Sequence, residues 1–497
     1  MNLASIIDEH DGESVALIHR GRSTSFGELR DQVDHLRGGL ASLGVVRGDR
    51  VALLCSNSVN FVVSYYAIVG LGAVAVPLNP LSPALELESE IADVEASVVI
   101  IEKLSAGTWS GVDRSAVPSV SAVITCDPGS VADGQVLLDD LLQVDAVDRV
   151  ESEPDDLCTL IFTSGTAGAP RAAMLTHDNL LSNIEQSLSV TDQIAAGDVI
   201  YTVLPLFHIF GLNMALNLGL SVGATVLLVQ RFDPVTAIDT IAERGVTVLP
   251  GSPSMWMAFD SFDQLDGSEF SGVRLALSGA AKLPIATARL MRDRFGIEIY
   301  EGYGLTEAAP TVTSSLGSPV RFGSVGRVLD GVEVRLVNAD GDIPAGDVGE
   351  IWVRGPNVFA GYFRDEEATA AVLTGDGWLR TGDMATVDDD GYIWLVDRAK
   401  DLVIVSGFNV FPVEVEDVLA THPDVAEVGV VGVPHPHTGE AVKAFIVTKD
   451  GVDVDEETLI EYCLDHLARY KCPNKILFVD ELPRNTTGKL LRRQLID

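Results

Sequence analysis

Leu160-Ile161-Phe162-Thr163-Ser164-Gly165-Thr166-Ala167-Gly168-Ala169-Pro170-Arg171 is an apolar run that breaks into small hydroxyl and glycine residues and closes on a cation. Leu160 to Phe162 predicts a buried strand and the residues after it a loop. Glycines let backbone N–H groups converge on an anion, the hydroxyls of Thr163, Ser164 and Thr166 add donors, and Arg171 offsets charge. Such a loop can wrap phosphates. Read alone, the same composition also suits a plain connecting turn.

Outward from this loop the strand pattern repeats. From about residue 50 to 305, short β-branched runs alternate with longer amphipathic stretches; the runs include Val51 to Leu54, Val98 to Ile101, Val199 to Val203, Thr225 to Val229, Val246 to Leu249 and Leu275 to Ser278. Between them, Ala237 to Arg244 and Ile285 to Phe295 predict crossover helices over parallel strands. Beyond about residue 320, Gly- and Asp-punctuated strands at Val332 to Val337, Gly349 to Val353 and Tyr392 to Val396 predict a small β-rich subdomain. After Asp397 come helices near Val413 to Ala420 and Glu456 to Ala468, and strands near Val425 to Val433, Ala441 to Val447 and Ile476 to Val479. These suffice for a small α+β domain. The fold class is therefore α/β. A large N-terminal domain, residues 1–397, holds α/β subdomains plus the β-rich piece, and a C-terminal α+β domain covers residues 398–497, with the boundary near Asp397 to Asp401. A chain of 497 residues exceeds what one hydrophobic core usually supports.

Charge narrows the partners. With 34 basic and 72 acidic residues the net charge is −38, which repels a phosphate backbone, so nucleic acid is not expected. Anionic ligands then need local positive sites. Hydrophobic residues at 47% and charged residues at 21% are those of an ordinary folded chain. The five cysteines (Cys55, Cys126, Cys158, Cys463, Cys472) are scattered without a C-x-x-C pair, which suggests neither a disulfide framework nor a zinc site and fits a reducing cytoplasm. The N-terminal stretch lacks the basic and apolar regions of a signal peptide. No charged residue occurs between Arg50 and Glu86, but the Asn, Ser, Tyr, Gly and Pro content there predicts a buried helix and strand rather than a membrane span.

The loop resembles the phosphate-binding signature of the adenylate-forming superfamily, which includes acyl-CoA synthetases, luciferases and the adenylation domains of peptide synthetases. Further matches follow in the family's order. Pro205-Leu206-Phe207-His208 resembles its acyl-site motif, Glu301-Gly302-Tyr303-Gly304-Leu305-Thr306-Glu307 its adenine and magnesium motif, and Thr381-Gly382-Asp383 its ribose motif. Asp397-Arg398-Ala399-Lys400-Asp401 is similar to the hinge, and Pro483-Arg484-Asn485-Thr486-Thr487-Gly488-Lys489 to the catalytic-lysine motif. Asn57-Ser58 and Gly72-Ala73-Val74-Ala75-Val76-Pro77 also fit.

The resemblance implies an ATP-dependent acid–thiol ligase that forms an acyl-adenylate, releases pyrophosphate and passes the acyl group to coenzyme A, with Mg²⁺ as cofactor. A carboxylate attacks the α-phosphorus poorly because both are anionic, so charge must be screened and the pair held in line. Lys489, on a flexible-looking segment of a mobile C-terminal domain, would be the point charge that does so; Glu307, aided by Thr166, would ligate Mg²⁺. Thr163, Ser164, Gly165, Thr166, Gly168 and Arg171 would hold phosphates, and Glu301, Gly302, Tyr303, Gly304 and Thr306 would line the nucleotide, with Tyr303 on adenine. Asp383 would accept from both ribose hydroxyls and Arg398 would donate to ribose or phosphate. Phe207, His208, Gly279 and Ala280 would shape the acyl pocket, Lys400 would be the pivot, and Ser406, Gly407 and Phe408 would meet the thiol. Each alone has a plainer reading: Glu307 starts a helix, Tyr303 fills a core, Asp383 makes a turn and His208 packs.

No acidic residue occurs from Leu204 to Leu228, where amino-acid-activating relatives carry an aspartate, so an uncharged acyl chain is expected. Val405 to Pro412 resembles long-chain acyl-CoA synthetases and points to a medium- or long-chain fatty acid. The loop departs from the family's usual Thr-Ser-Gly-Thr-Thr-Gly-x-Pro-Lys-Gly, since Ala167, Arg171 and Ala172 replace a threonine, the lysine and a glycine. Arginine keeps the charge but tracks a moving pyrophosphate less readily, which predicts slower pyrophosphate handling. Two other readings fit: a ligase that loads a carrier protein, and an adenylate-binding sensor that does no chemistry.

Overall fold

The computed structural model describes all residues except 164–169, 191–193, 261, 263, 264, 266, 339–340, 399–400, 406–407, 436–437, 450, 453, 486–487 and 496–497. They group into two compact units, Met1–Glu333 with Arg354–Leu379, and Val334–Val353 with Arg380–Asp497.

The first unit contains two sheets. One has seven strands in the order Gln135–Leu137, Ala122–Thr125, Val98–Ile101, Arg50–Leu54, Val74–Pro77, Leu157–Thr163, Arg171–Thr176, and only the last pairing is antiparallel. Its central strands are apolar on both faces because helices cover both, which is why they read as continuous runs. The charge-free stretch forms the helix Val59–Gly70, capped by Ser58 and buried from Phe61 onward, and then the buried strand Val74–Pro77. Among the described residues, no helix is long and apolar enough to cross a membrane.

The other sheet has nine strands, with Ile299–Gly304, Leu275–Ser278, Val248–Gly251, Val199–Thr202, Thr225–Leu228 and Val15–His19 parallel in that spatial order. The crossover helix Ile285–Phe295 ends at Gly296 in the left-handed region (φ 69°), and Pro234–Glu243 starts on an Asp233 cap. Two features depart from the sequence expectation. The strand expected at Val246 to Leu249 runs over Val248–Gly251, and the hairpin Val15–His19/Arg22–Ser25 adds an unforeseen edge to this sheet.

The second unit holds a five-stranded sheet ordered Gly341–Asp342, Glu333–Asn338, Gly349–Arg354, Leu379–Val387, Ile393–Arg398. Its other sheet is built on the long antiparallel pair Val425–His435/Gly439–Thr448, joined in parallel by Lys475–Phe478. Helices Pro412–Ala420 and Glu456–His466 pack Val415, Leu419, Leu459 and Cys463 into its core. Arg492 ties the C-terminal turn to Glu416 at 2.8 Å. The boundary expected near Asp397 to Asp401 falls inside this unit, and Lys400 lies outside the described residues.

One core carboxyl carries a pH dependence. Glu90, on the helix Ala84–Asp93, is 7% exposed; burial first, then Glu86 and Asp93, push its pKa up to about 8. The folded chain therefore keeps a proton that the unfolded chain releases near 4.5. Stability from this group is present in full below that value and is lost as pH rises through about 8. Glu90→Gln, neutral at every pH, is expected to raise Tm by a few degrees at about pH 8.5 and by much less at about pH 5. Equal shifts at both pH values, measured by thermal unfolding, would contradict this.

Candidate active site

The strands on either side of the glycine- and hydroxyl-rich loop pair as a β-hairpin. Leu157–Thr163 pairs antiparallel with Arg171–Thr176 and places Thr163 opposite Arg171. Ser164, Gly165, Thr166 and Gly168 lie outside the described residues. The element after the loop is a strand rather than a helix, and its first residue is the cation.

That cation is held from two sides. Arg171 Nε–H donates to Asp365 Oδ2 at 2.9 Å, and the guanidinium lies over the Tyr362 ring, 5.7 Å from its centroid. The Tyr362 hydroxyl donates to Glu307 Oε1 at 2.7 Å. Burial, and then the neighbouring Glu307 carboxylate, push the Tyr362 phenol far above its ordinary pKa, so it stays a donor. Asp365 is held below the usual carboxylate range by the Ala368 N–H and by Arg171. Two residues singled out far apart in sequence, Arg171 and Glu307, thus belong to one contact chain.

Glu307 sits on a short turn, Thr306–Ala308, at the C-terminal end of the parallel strand Ile299–Gly304. In open α/β sheets ligands bind outside such strand ends. The chain returns as Thr311–Ser314, pairing Gly302 with Ser314 and Tyr303 with Thr313. Gly304 must be glycine, because a Cβ there would stand 2.3 Å from the Pro310 carbonyl oxygen. Tyr303 is buried. Glu301 accepts the N–H groups of Leu283 and Gly323, and burial raises its pKa to about 7, so its carboxyl staples two loops beside the strand end.

Three buried amides that the sequence reading passed over fix this turn. Asn183 clamps both sides of Thr311, donating to its carbonyl at 2.8 Å and accepting its N–H at 3.0 Å. Asn213 donates to the Ala309 carbonyl at 2.7 Å, and Asn357 to the Ala308 carbonyl at 2.9 Å. All three are 0% exposed. Leaving such a donor unpaired costs about 1–3 kcal/mol, so the cage defines the turn closely.

The acyl motif begins where Asn57 ties two strand ends together. Asn57 Nδ2 donates to the carbonyls of Thr202, Leu204 and Val229, and its Oδ1 accepts from Leu206 N–H. Phe207 and His208 follow, half-buried, and His208 Nδ1 accepts the Phe210 N–H at 3.3 Å. Phe210–Asn217 is a π-helix, a distortion found disproportionately at functional sites. Gly279 lies against Phe210, since a Cβ there would come 2.9 Å from the ring, and Ala280 takes a left-handed φ of 70°.

In the second unit, Asp383 and Arg398 stand directly opposite each other on antiparallel strands. The Thr381 hydroxyl accepts the Asp383 N–H, and Glu350 accepts the Gly382 N–H. Lys489 closes a turn in which Asn485 Oδ1 accepts its N–H at 2.8 Å and its carbonyl accepts the Asn485 N–H at 2.9 Å. The segment read as flexible is thus hydrogen-bonded at its described residues. Ser406 and Gly407 lie outside the described residues, and Phe408 opens the strand Phe408–Val410, paired with Val403–Val405.

The Glu307 turn beyond a parallel strand and the Asn57-tied Pro205-to-His208 segment on one α/β unit, followed by the Lys489 turn in a second, carry the residues on which the resemblance to adenylate-forming enzymes rests. The chain belongs to the AMP-binding enzyme family: the family model matches residues 7–363 and that of the AMP-binding enzyme C-terminal domain residues 414–489. It is 37% identical to a feruloyl-CoA synthase from Amycolatopsis sp over 492 residues, which span 97% of this chain and 95% of that one. It is 32% identical to a long-chain-fatty-acid–CoA ligase of Bacillus subtilis over 515 residues, spanning 98% and 92% of the two chains. ATP-bound MatB from Rhodopseudomonas palustris matches with a TM-score of 0.93 at 34% identity, covering 99% of this chain and 98% of that one.

Proposed function

We propose that this chain is an AMP-forming acid–CoA ligase of the cytoplasm, with a medium- or long-chain fatty acid as its acid. The observation that carries the reading is the Arg171–Tyr362–Glu307 contact chain, which joins the end of the phosphate loop to the carboxylate turn. In this reading Arg171 and the loop amides would hold the outgoing phosphates, Asp383 and Arg398 would bind the ribose, and Lys489 would supply the charge that screens the attacking carboxylate from the α-phosphate. Glu307 offers a hard carboxylate oxygen of the kind that Mg²⁺ takes together with substrate phosphates, and Thr166 would add a hydroxyl. The bound ion supplies charge neutralisation on the phosphates. The C-terminal residues from about 398 onward then turn about Lys400 and present Ser406 to Phe408 to the thiol.

Fatty acid is favoured by the uncharged acyl motif and by the B. subtilis relative. An aromatic acid is the second reading, favoured by the feruloyl-CoA synthase and by the Phe210 ring against Gly279, which narrows that wall. Acid-dependent pyrophosphate–ATP exchange, run over graded fatty acids, cinnamic-type acids and amino acids, tests the reading. Fatty acids are expected to support the fastest exchange and amino acids none; an amino acid faster than every fatty acid would overturn the pocket assignment.

Arg171→Lys is expected to retain adenylation and to speed pyrophosphate exchange, because the ammonium restores a mobile point charge. Loss of exchange in a folded variant would show that the loop depends on the guanidinium fork.

A further inference from the structure

We propose that Tyr362 and Asp365 are positioning residues for the nucleotide half of the reaction, Tyr362 orienting the Glu307 carboxylate and Asp365 orienting the Arg171 guanidinium. The inference rests on the reading of Glu307 as the metal carboxylate and Arg171 as the phosphate cation.

The two residues flank one turn. Tyr362 bridges to Ala173 on the hairpin strand, and its N–H donates to Thr369 Oγ1 at 2.9 Å. Its ring is packed edge-on by Phe359, with centroids 5.0 Å apart. Asp365 divides its oxygens: Oδ1 accepts Ala368 N–H at 2.9 Å and caps the helix Glu366–Val372, while Oδ2 accepts Arg171 Nε–H. The turn therefore grips the hairpin through backbone and side chain at once.

The division of labour explains why an arginine works where a lysine is usual. A guanidinium has five N–H donors in a fixed fork, so Nε–H can be spent on Asp365 while the terminal nitrogens still serve a phosphate. An ammonium carries its donors at a single point and cannot be held mid-stem. The Tyr362 ring, 5.7 Å from the guanidinium carbon, adds a second, cation–π constraint. The same ring carries the hydroxyl that selects one orientation of Glu307. Partners of this kind behind a metal carboxylate typically change metal affinity about 10–100-fold when removed.

The test is equilibrium binding with no turnover: Mn²⁺ titrated by its EPR signal into the full chain with α,β-methylene-ATP, and metal-free binding of the same analogue by calorimetry. Tyr362→Phe keeps both ring contacts and is expected to weaken Mn²⁺ about tenfold or more, with metal-free nucleotide affinity unchanged. Asp365→Asn keeps the helix cap and is expected to weaken the metal-free nucleotide while leaving the Mn²⁺ affinity of the complex in place. Wild-type Mn²⁺ affinity in Tyr362→Phe, or wild-type nucleotide affinity in Asp365→Asn, overturns the inference. Glu307→Gln separates the underlying reading, because full Mn²⁺ affinity there means Glu307 is not the metal carboxylate. Asp365→Ser, which also caps a helix, replaces Asp365→Asn if that variant misfolds, with the same two outcomes.

Discussion

Lys489→Ala is expected to slow acyl-adenylate formation by roughly 10²-fold or more, the scale of losing one preorganised transition-state donor, while thiol transfer from supplied acyl-AMP survives. The charge is needed only while the carboxylate attacks phosphorus. The variant should fold, because Asn485 fixes the turn through the backbone of Lys489, and Gly488 supplies its left-handed φ of 81°. Lys400→Pro is the converse: fixing φ at the pivot should leave adenylation largely intact and depress the CoA step. Both half-reactions are measured in both variants by single-turnover quench. Equal proportional losses would end the assignment of separate roles to the lysine and the hinge.

Gly304→Ala is expected to cost adenylation roughly 10²-fold with a smaller loss of stability, since displacing a catalytic group by about 1 Å is enough for such a loss. The added methyl would stand 2.3 Å from the Pro310 oxygen, a backbone atom. Relief must therefore come from moving the turn. Thr311 cannot follow easily, because Asn183 holds it on both sides, and Ala308 and Ala309 are held by Asn357 and Asn213. The strain falls on Glu307, which lies between Gly304 and the held Ala308. Pyrophosphate exchange against Mg²⁺ concentration and a denaturant melt check this. Wild-type exchange in Gly304→Ala would mean the turn is softer than the amide cage implies.

How far the sequence reaches depends on how local the physics is. Val51 to Leu54 and Val98 to Ile101 were legible as strands because a sheet buried on both faces leaves an unbroken apolar run. Ile285–Phe295 was legible to the residue, with Pro284 before it and Gly296 after. The hairpin Val15–His19/Arg22–Ser25 was not, because Arg22-Ser23-Thr24-Ser25 is a polar edge strand with neither alternation nor an apolar run. Within the site, motif glycines and charges stood out by type and spacing. The contacts that orient them did not: Tyr362 meets Glu307 across 55 residues and Asp365 meets Arg171 across 194. Asn183, Asn213 and Asn357 left a fainter signal. Polar amides inside apolar stretches are costly to bury unless fully paired, so Asn-Met-Ala-Leu-Asn in an uncharged helix marks a place where backbone elsewhere needs a partner.

The central claim is that one chain first makes an acyl-adenylate and then consumes it with a thiol. AMP, pyrophosphate and acyl-CoA, quantified together over many turnovers with ATP, Mg²⁺ and a graded series of fatty acids, with and without CoA, test it directly. With CoA, the account predicts the three products in equal amounts for at least one medium- or long-chain acid, and without CoA a burst of pyrophosphate that stops near one equivalent of enzyme. Continuous AMP release without CoA, or no pyrophosphate from any acid, would contradict it.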